Sequence, residues 1–162
     1  MDTATHIVMG VGLTALATQD PVMAGSFAAT ATTLIAGSLI PDGDTVLKLK
    51  DNATYISHHR GITHSLPFTI LWPILITFFI FVIFSHTNPL HVWLWAQLAV
   101  FLHVFVDIFN SYGTQALRPI TNKWIQLGVI NTFDPIIFII LCIGVALWTF
   151  GVHPYLAFFP II

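Results

Sequence analysis

The 162-residue chain is hydrophobic at 56% of its positions and charged at only 7%, with a formal net charge of −2. An ordinary soluble domain carries roughly 25% charged residues, so a water-covered surface is excluded for most of the chain and lipid is the expected solvent. The absence of a basic stripe argues against a nucleic-acid partner, and the length suits a single domain over 1–162.

In chain order, the start Met1-Asp2-Thr3 has neither a basic region nor a small-residue cleavage pattern, so no removable signal peptide is read. An apolar stretch over 6–18 follows, short enough to be a buried or tilted half-length helix rather than a full crossing. The runs 22–40, 65–85, 90–110 and 134–152 each approach the roughly 20 residues that span a bilayer core. The expected fold is all-α, a polytopic transmembrane bundle of four to five helices. Tight links over 18–21 and 86–89 end in proline, which presets a turn dihedral.

All five basic residues fall in two longer links, Lys48, Lys50 and Arg60 in the first and Arg118 and Lys123 in the second. The positive-inside rule puts both links on the cytoplasmic side. The expected location is a bacterial-type cytoplasmic (inner) membrane, with the N-terminus inside when the first stretch crosses. Cys142 stands alone in an apolar run and forms no internal disulfide. The abruptly apolar ending, Phe158 to Ile162, is read as a truncation point.

Against this background, eight His and seven Asp, with no Glu, are the informative residues. On this topology His6, Asp42, Asp44, His58, His59, His64, His103, Asp107 and Asp134 gather at one face. His103 and Asp107, four apart, project from one side of a helix. An ionisable group in such an apolar run costs roughly 2.5–3.5 kcal/mol at mid-membrane, and a carboxylate is disfavoured near a helix C-terminus. A divalent cation would offset both; a helix–helix hydrogen bond between the two or to a neighbour is the alternative.

His59 and His64 flank a turn at Gly61 and read as ligands or as a solvated loop, with His58 a bystander. Asp42 and Asp44 are carboxylate ligands for a harder ion or a two-metal site, or a helix stop. His6 is a ligand or a hydrogen-bonded buried imidazole, with Thr3 and Thr5 as candidate caps. Asp134 before Pro135 is better explained as a helix cap. Arg60 has a planar fork suited to phosphate, or it anchors the loop. His86, His91 and His153 lie towards the opposite face and are set aside.

Thr5-His6 with Gly10, Pro41-Asp42-Gly43-Asp44, the block His59-Arg60-Gly61-Ile62-Thr63-His64-Ser65, and His103 to Asp107 followed by Tyr112-Gly113 form a recognisable pattern. It resembles the membrane-bound metal-dependent hydrolase family of the YdjM or YfhP type, over roughly Met1 to Asp134. The resemblance implies an inner-membrane, metal-dependent hydrolase with distant kinship to zinc phospholipases C. It also implies a metal shell drawn from His6, Asp42 or Asp44, His59, His64, His103 and Asp107. Longer members carry a soluble portion that this chain lacks.

The functional expectation is hydrolysis of an ester or phosphoester, of a lipid or lipid-linked substrate, at the cytoplasmic membrane boundary. Zinc is the foremost ion, with manganese or iron as alternatives, as one or two ions. Asp42 or Asp44 would act as general base and Arg60 would hold the phosphate. The rival expectations are a metal-ion or proton transporter and a non-catalytic metal-stabilised membrane scaffold. Oligomeric state is not legible.

Overall fold

The computed structural model describes residues 1–43 and 60–158. Its regular elements are α1 (Thr3–Ala17), α2 (Pro21–Ala24), α3 (Phe27–Leu39), α4 (Leu66–Ile83), α5 (Pro89–Ile108), α6 (Pro135–Thr149) and α7 (Pro154–Phe158). Among the described residues there is no strand, only isolated bridges Asn110–Ile130 and Thr114–Ile125. The all-α expectation holds.

Helix starts follow local chemistry. Asp2 caps α1, accepting from the Thr5 N–H at 3.1 Å. The expected cap at Thr3 or Thr5 is thus corrected: both lie inside the helix, and the preceding carboxylate satisfies the free N–H groups better. Asp20, Asn88 and Asp134 cap α2, α5 and α6, and each is followed by proline. Proline costs nothing there, because its missing N–H would be unpaired anyway. Asp134 is therefore a cap, as its sequence context suggested.

Two helices are long and apolar enough to cross a membrane, Leu66–Ile83 and Pro89–Ile108, with 18 and 20 residues. At 1.5 Å per residue they reach about 27 and 30 Å, the thickness of a bilayer core. Thr3–Ala17 and Pro135–Thr149 are apolar but shorter. The expected run 22–40 is divided: α2 stops at Gly25, and Ser26 caps a new helix through the Ala29 N–H at 3.5 Å. Four to five full-length spans are thus corrected to two, because hydropathy alone does not register a capping serine inside an Ala/Thr/Gly-rich stretch.

Small residues set the packing. A Cβ on Gly10 would lie 3.0 Å from the Ile35 Cα, and one on Gly37 2.8 Å from the Ala99 Cβ. The backbone of α3 therefore sits close against α1 on one side and α5 on the other, the contact mode of apolar bundles. Ala96, Ala99 and Val100 are completely buried at this seam. The far faces are apolar and open: Phe78, Val82 and Ile83 are about 60% exposed or more, a surface fit for lipid.

Pro73 interrupts α4 and leaves the Thr69 carbonyl without its helical N–H. Gln97 of α5 donates to that carbonyl at 3.1 Å. Between α5 and α6 the chain folds back over the helix ends, with Leu127 N–H on Ile108 O at 2.8 Å and Leu66 N–H on Arg118 O at 3.2 Å. Gly113, at φ 65°, permits this fold, since a Cβ there would collide with the Ile125 carbonyl. The start of α1, the end of α3, the start of α4 and the end of α5 thereby meet at one end of the bundle.

Candidate metal centre

Four of the expected residues converge. Asp42 lies in the 3-10 turn after α3, His64 just before α4, and His103 and Asp107 in the last two turns of α5. One donor atom from each lies within 4.8 Å of all the others. His103 Nε2 is 3.2 Å from His64 Nε2 and 3.7 Å from both Asp42 Oδ1 and Asp107 Oδ2. His64 Nε2 is 3.5 Å from Asp42 Oδ1 and 3.4 Å from Asp107 Oδ2. Ligands held at 2.0–2.1 Å around a tetrahedral ion stand about 3.3–3.4 Å apart, so these edges fit such a cation.

The chemistry of the donors agrees. His103 Nδ1 lies 2.6 Å from the Ser38 carbonyl, which can only accept. Nδ1 is therefore the donor to Ser38, and Nε2 is the nitrogen turned towards the other three groups. It faces another imidazole nitrogen and two carboxylate oxygens, and a cation among them would satisfy all four donors at once. His103, Asp107 and His64 are completely buried, where uncompensated carboxylate charge is costly. At 3.7 Å His103 and Asp107 are too far apart to hydrogen-bond each other, and the helix–helix hydrogen bond weighed as the alternative forms instead from His103 to a neighbour, Ser38.

His6, also completely buried, joins the cluster from α1. Its ring stacks on His103 with centroids 3.8 Å apart, and its Nε2 lies 3.4 Å from Asp107 Oδ1. Neither ring nitrogen has a hydrogen-bond partner, so the hydrogen-bonded imidazole considered for it is not what forms. Arg60 is buried at φ 59°, with its guanidinium 3.5 Å from Asp107 Oδ2 and 3.2 Å from the Met1 carbonyl. It faces the cluster from inside the protein. Asp44, His58 and His59 lie outside the described residues.

Two groups outside the spans feel the cluster. Burial, helped by the Arg60 charge, lowers the N-terminal amine of Met1 to about 5. Burial pushes Asp42 upward, but His103, by hydrogen bond and charge, and then His64 and His6 outweigh it and hold the carboxyl well below the usual range. Asp42 is a carboxylate, ready to ligate.

Sequence reasoning missed the Ser38 carbonyl and the N-terminal ammonium, which sits on Asp107 Oδ1. It also missed a pair at the other end of the bundle, where Asp20 Oδ2 meets His91 Nδ1 at 2.7 Å and Trp95 Nε1 at 3.0 Å. His91 had been set aside as interfacial; it is a partner of Asp20.

Residues 1–161 match the family described as YdjM inner membrane protein. The chain belongs to the YdjM inner membrane protein family. It is also 52% identical over 161 residues to a Bacillus subtilis (strain 168) protein described as "Uncharacterized protein YfhP". That match covers 98% of this chain and 49% of the relative, so the chain spans about half the length of the curated relative it matches. No solved structure matches. For a YdjM-family chain, the two long apolar helices are the membrane-crossing elements to be expected, and the His/Asp cluster stands at their shared end.

Proposed function

We propose that this YdjM-family protein is a membrane-embedded, metal-dependent hydrolase acting on an ester or phosphoester, with a lipid or lipid-linked molecule as substrate. The observation that carries the reading is the convergence of two imidazoles and two carboxylates on one point, with His103 Nδ1 engaged by Ser38 so that Nε2 is the nitrogen turned into the cluster. Two nitrogens and two oxygens suit zinc, with manganese or iron also served by such a set. When bound, the ion supplies Lewis acidity and lowers the pKa of a coordinated water. The chain's own residues would hold it through His64, His103 and Asp107, leaving Asp42, at the least buried edge of the set, outside the shell to accept a proton. Arg60 orients Asp107, and swinging towards an anionic substrate would require it to leave that carboxylate.

The lipid assignment rests on the segment covering the site. Ile120, Val129 and Leu127 are 79%, 72% and 57% exposed there, beside Trp124, Arg118 and Lys123. Apolar and aromatic side chains next to cationic ones belong in a headgroup layer. With the basic residues inside, that layer is the cytoplasmic leaflet, and α1, α3 and α6 complete the bundle as shorter or tilted membrane segments.

The test is to purify the protein in detergent, load it with Zn²⁺ or Mn²⁺, and assay a phosphodiester reporter and extracted membrane lipids. Turnover that is lost on chelation and in Asp42→Asn supports the reading. Bound metal with no turnover on either substrate, together with metal flux in liposomes, would replace it with transport.

A further inference from the structure

The four-donor set uses only one oxygen of Asp107. Oδ2 faces His64 at 3.4 Å, His103 at 3.7 Å and Arg60 at 3.5 Å. Oδ1 faces the other way, towards His6 Nε2 at 3.4 Å and the Met1 ammonium. Beyond the ion-pair contacts with Met1 and Arg60, neither oxygen has a hydrogen-bond partner, and neither does either nitrogen of the fully buried His6 ring. The rings of His6 and His103 are nearly parallel, 19° apart in plane and 3.8 Å between centroids. Two imidazoles thus lie side by side, each presenting Nε2 to a different oxygen of one carboxylate.

A carboxylate approached in this way is a bridge. Paired catalytic ions stand about 3.5–4 Å apart, a separation that two ligand rings stacked at 3.8 Å can serve. We propose that Asp107 bridges two divalent cations, the second held between its Oδ1 and His6. This rests on the metal-centre reading above and goes further, because it assigns unequal roles. The first position can draw on four protein donors, enough to fill a tetrahedral shell when Asp42 joins it. The second has His6 and Asp107 as its side-chain donors among the described residues, so it retains room for water and a substrate oxygen. The oxygen-bearing group of an ester or phosphoester would bind there.

The Met1 amine is the competing partner for Oδ1, and metal counting separates the two. The full chain, stripped and reloaded with Mn²⁺ alone, is expected to hold two ions with the electron paramagnetic resonance signal of an exchange-coupled pair. His6→Ala is expected to hold one, with the signal of an isolated ion. One ion per chain in the unaltered protein overturns the bridge, and so does retention of a coupled pair in His6→Ala. Because the unaltered protein gives the decisive count, misfolding of the variant does not rescue the proposal. Two coupled ions without hydrolysis would support the bridge and count against hydrolysis alone, while no bound ion would remove both.

Discussion

His103 Nδ1 and the Ser38 carbonyl meet at 2.6 Å across the seam between α5 and α3. A main-chain acceptor on one helix thus decides which nitrogen of a ring on the other is left to bind a cation. Such outer partners fix the orientation and basicity of ligand histidines. The site therefore depends on how closely two helices pack, as well as on its own side chains.

Gly37, one residue before Ser38, is where that closeness can be tested. A methyl group there would lie 2.8 Å from the Ala99 Cβ and 3.3 Å from the Ala96 carbonyl, both fixed on α5. Gly37→Ala must push the helices apart, and overpacking of this kind costs typically about 1–3 kcal/mol. The expected result is a lower unfolding temperature in detergent and metal affinity weakened about 10–100-fold, the range for loss of an outer partner. Gly25→Ala, where the nearest atom is the Val22 carbonyl at 3.4 Å, should change neither. Equal metal affinity in Gly37→Ala would show that the Ser38 contact does not orient the ligand.

Metal should also be a stabiliser in its own right. Asp42, His64, His103 and Asp107 come from three separate segments, so an ion among them binds the folded state and not the unfolded chain. Zinc at 100 times its dissociation constant is then worth about 2.7 kcal/mol. Unfolding of the chelated protein should occur at lower temperature, and zinc should restore it. His64→Ala and His103→Ala should show little or no zinc-dependent shift. A zinc response undiminished in both would move the binding site elsewhere.

The parts of this arrangement that sequence exposes are local ones. His103 and Asp107 are visible as a pair because two ionisable side chains four residues apart on an apolar helix share one face and must find a partner there. Asp134 before Pro135 is legible because capping is a contact over three residues. The break at Gly25–Ser26 is hidden because Ala, Thr and Gly on either side keep the average hydropathy high. Nothing marks Ser38 as the orienting group, since every residue has a carbonyl and only the packing of α3 on α5 selects this one. His91 and Asp20 are 71 positions apart, a separation at which sequence gives no pairing signal. The stacking of His6 on His103 is hidden for the same reason.

Gln97 supplies a test of the membrane setting itself. Its amide donates at 3.1 Å to the Thr69 carbonyl that Pro73 deprives of a helical partner. In water a solvent molecule could take its place; in hydrocarbon none is present. Gln97→Leu should therefore destabilise α4 against α5 by about 0.6–1.7 kcal/mol, the range of side-chain hydrogen bonds within bilayers. The double change Pro73→Ala with Gln97→Leu should recover most of that loss, because the Thr69 carbonyl regains an N–H from within its own helix. Unfolding equilibria of the four proteins in bicelles give the comparison, and an undiminished loss in the double variant would mean that Gln97 acts through packing instead.

At the opposite end of the bundle, Asp20 provides a pH-dependent prediction with a definite sign. Burial pushes its carboxyl upward, but hydrogen bonds from His91, Trp95 and the Val22 N–H outweigh this and lower it from 3.8 to about 2. The unfolded chain therefore binds a proton more readily than the folded one between those values. The resulting stabilisation is fully present above the unfolded pKa and is lost as pH falls through about 2. Asp20→Asn keeps a capping oxygen but abolishes the titration. The stability difference between the unaltered protein and Asp20→Asn should shrink steadily from about pH 4 to pH 2. Because Asp20 pairs with His91 at the start of α5, away from His103 and Asp107 at its end, bound metal at neutral pH should be the same in both proteins. A stability difference that does not vary across the acid range would show that the Asp20 carboxylate is not held by His91 and Trp95 in solution.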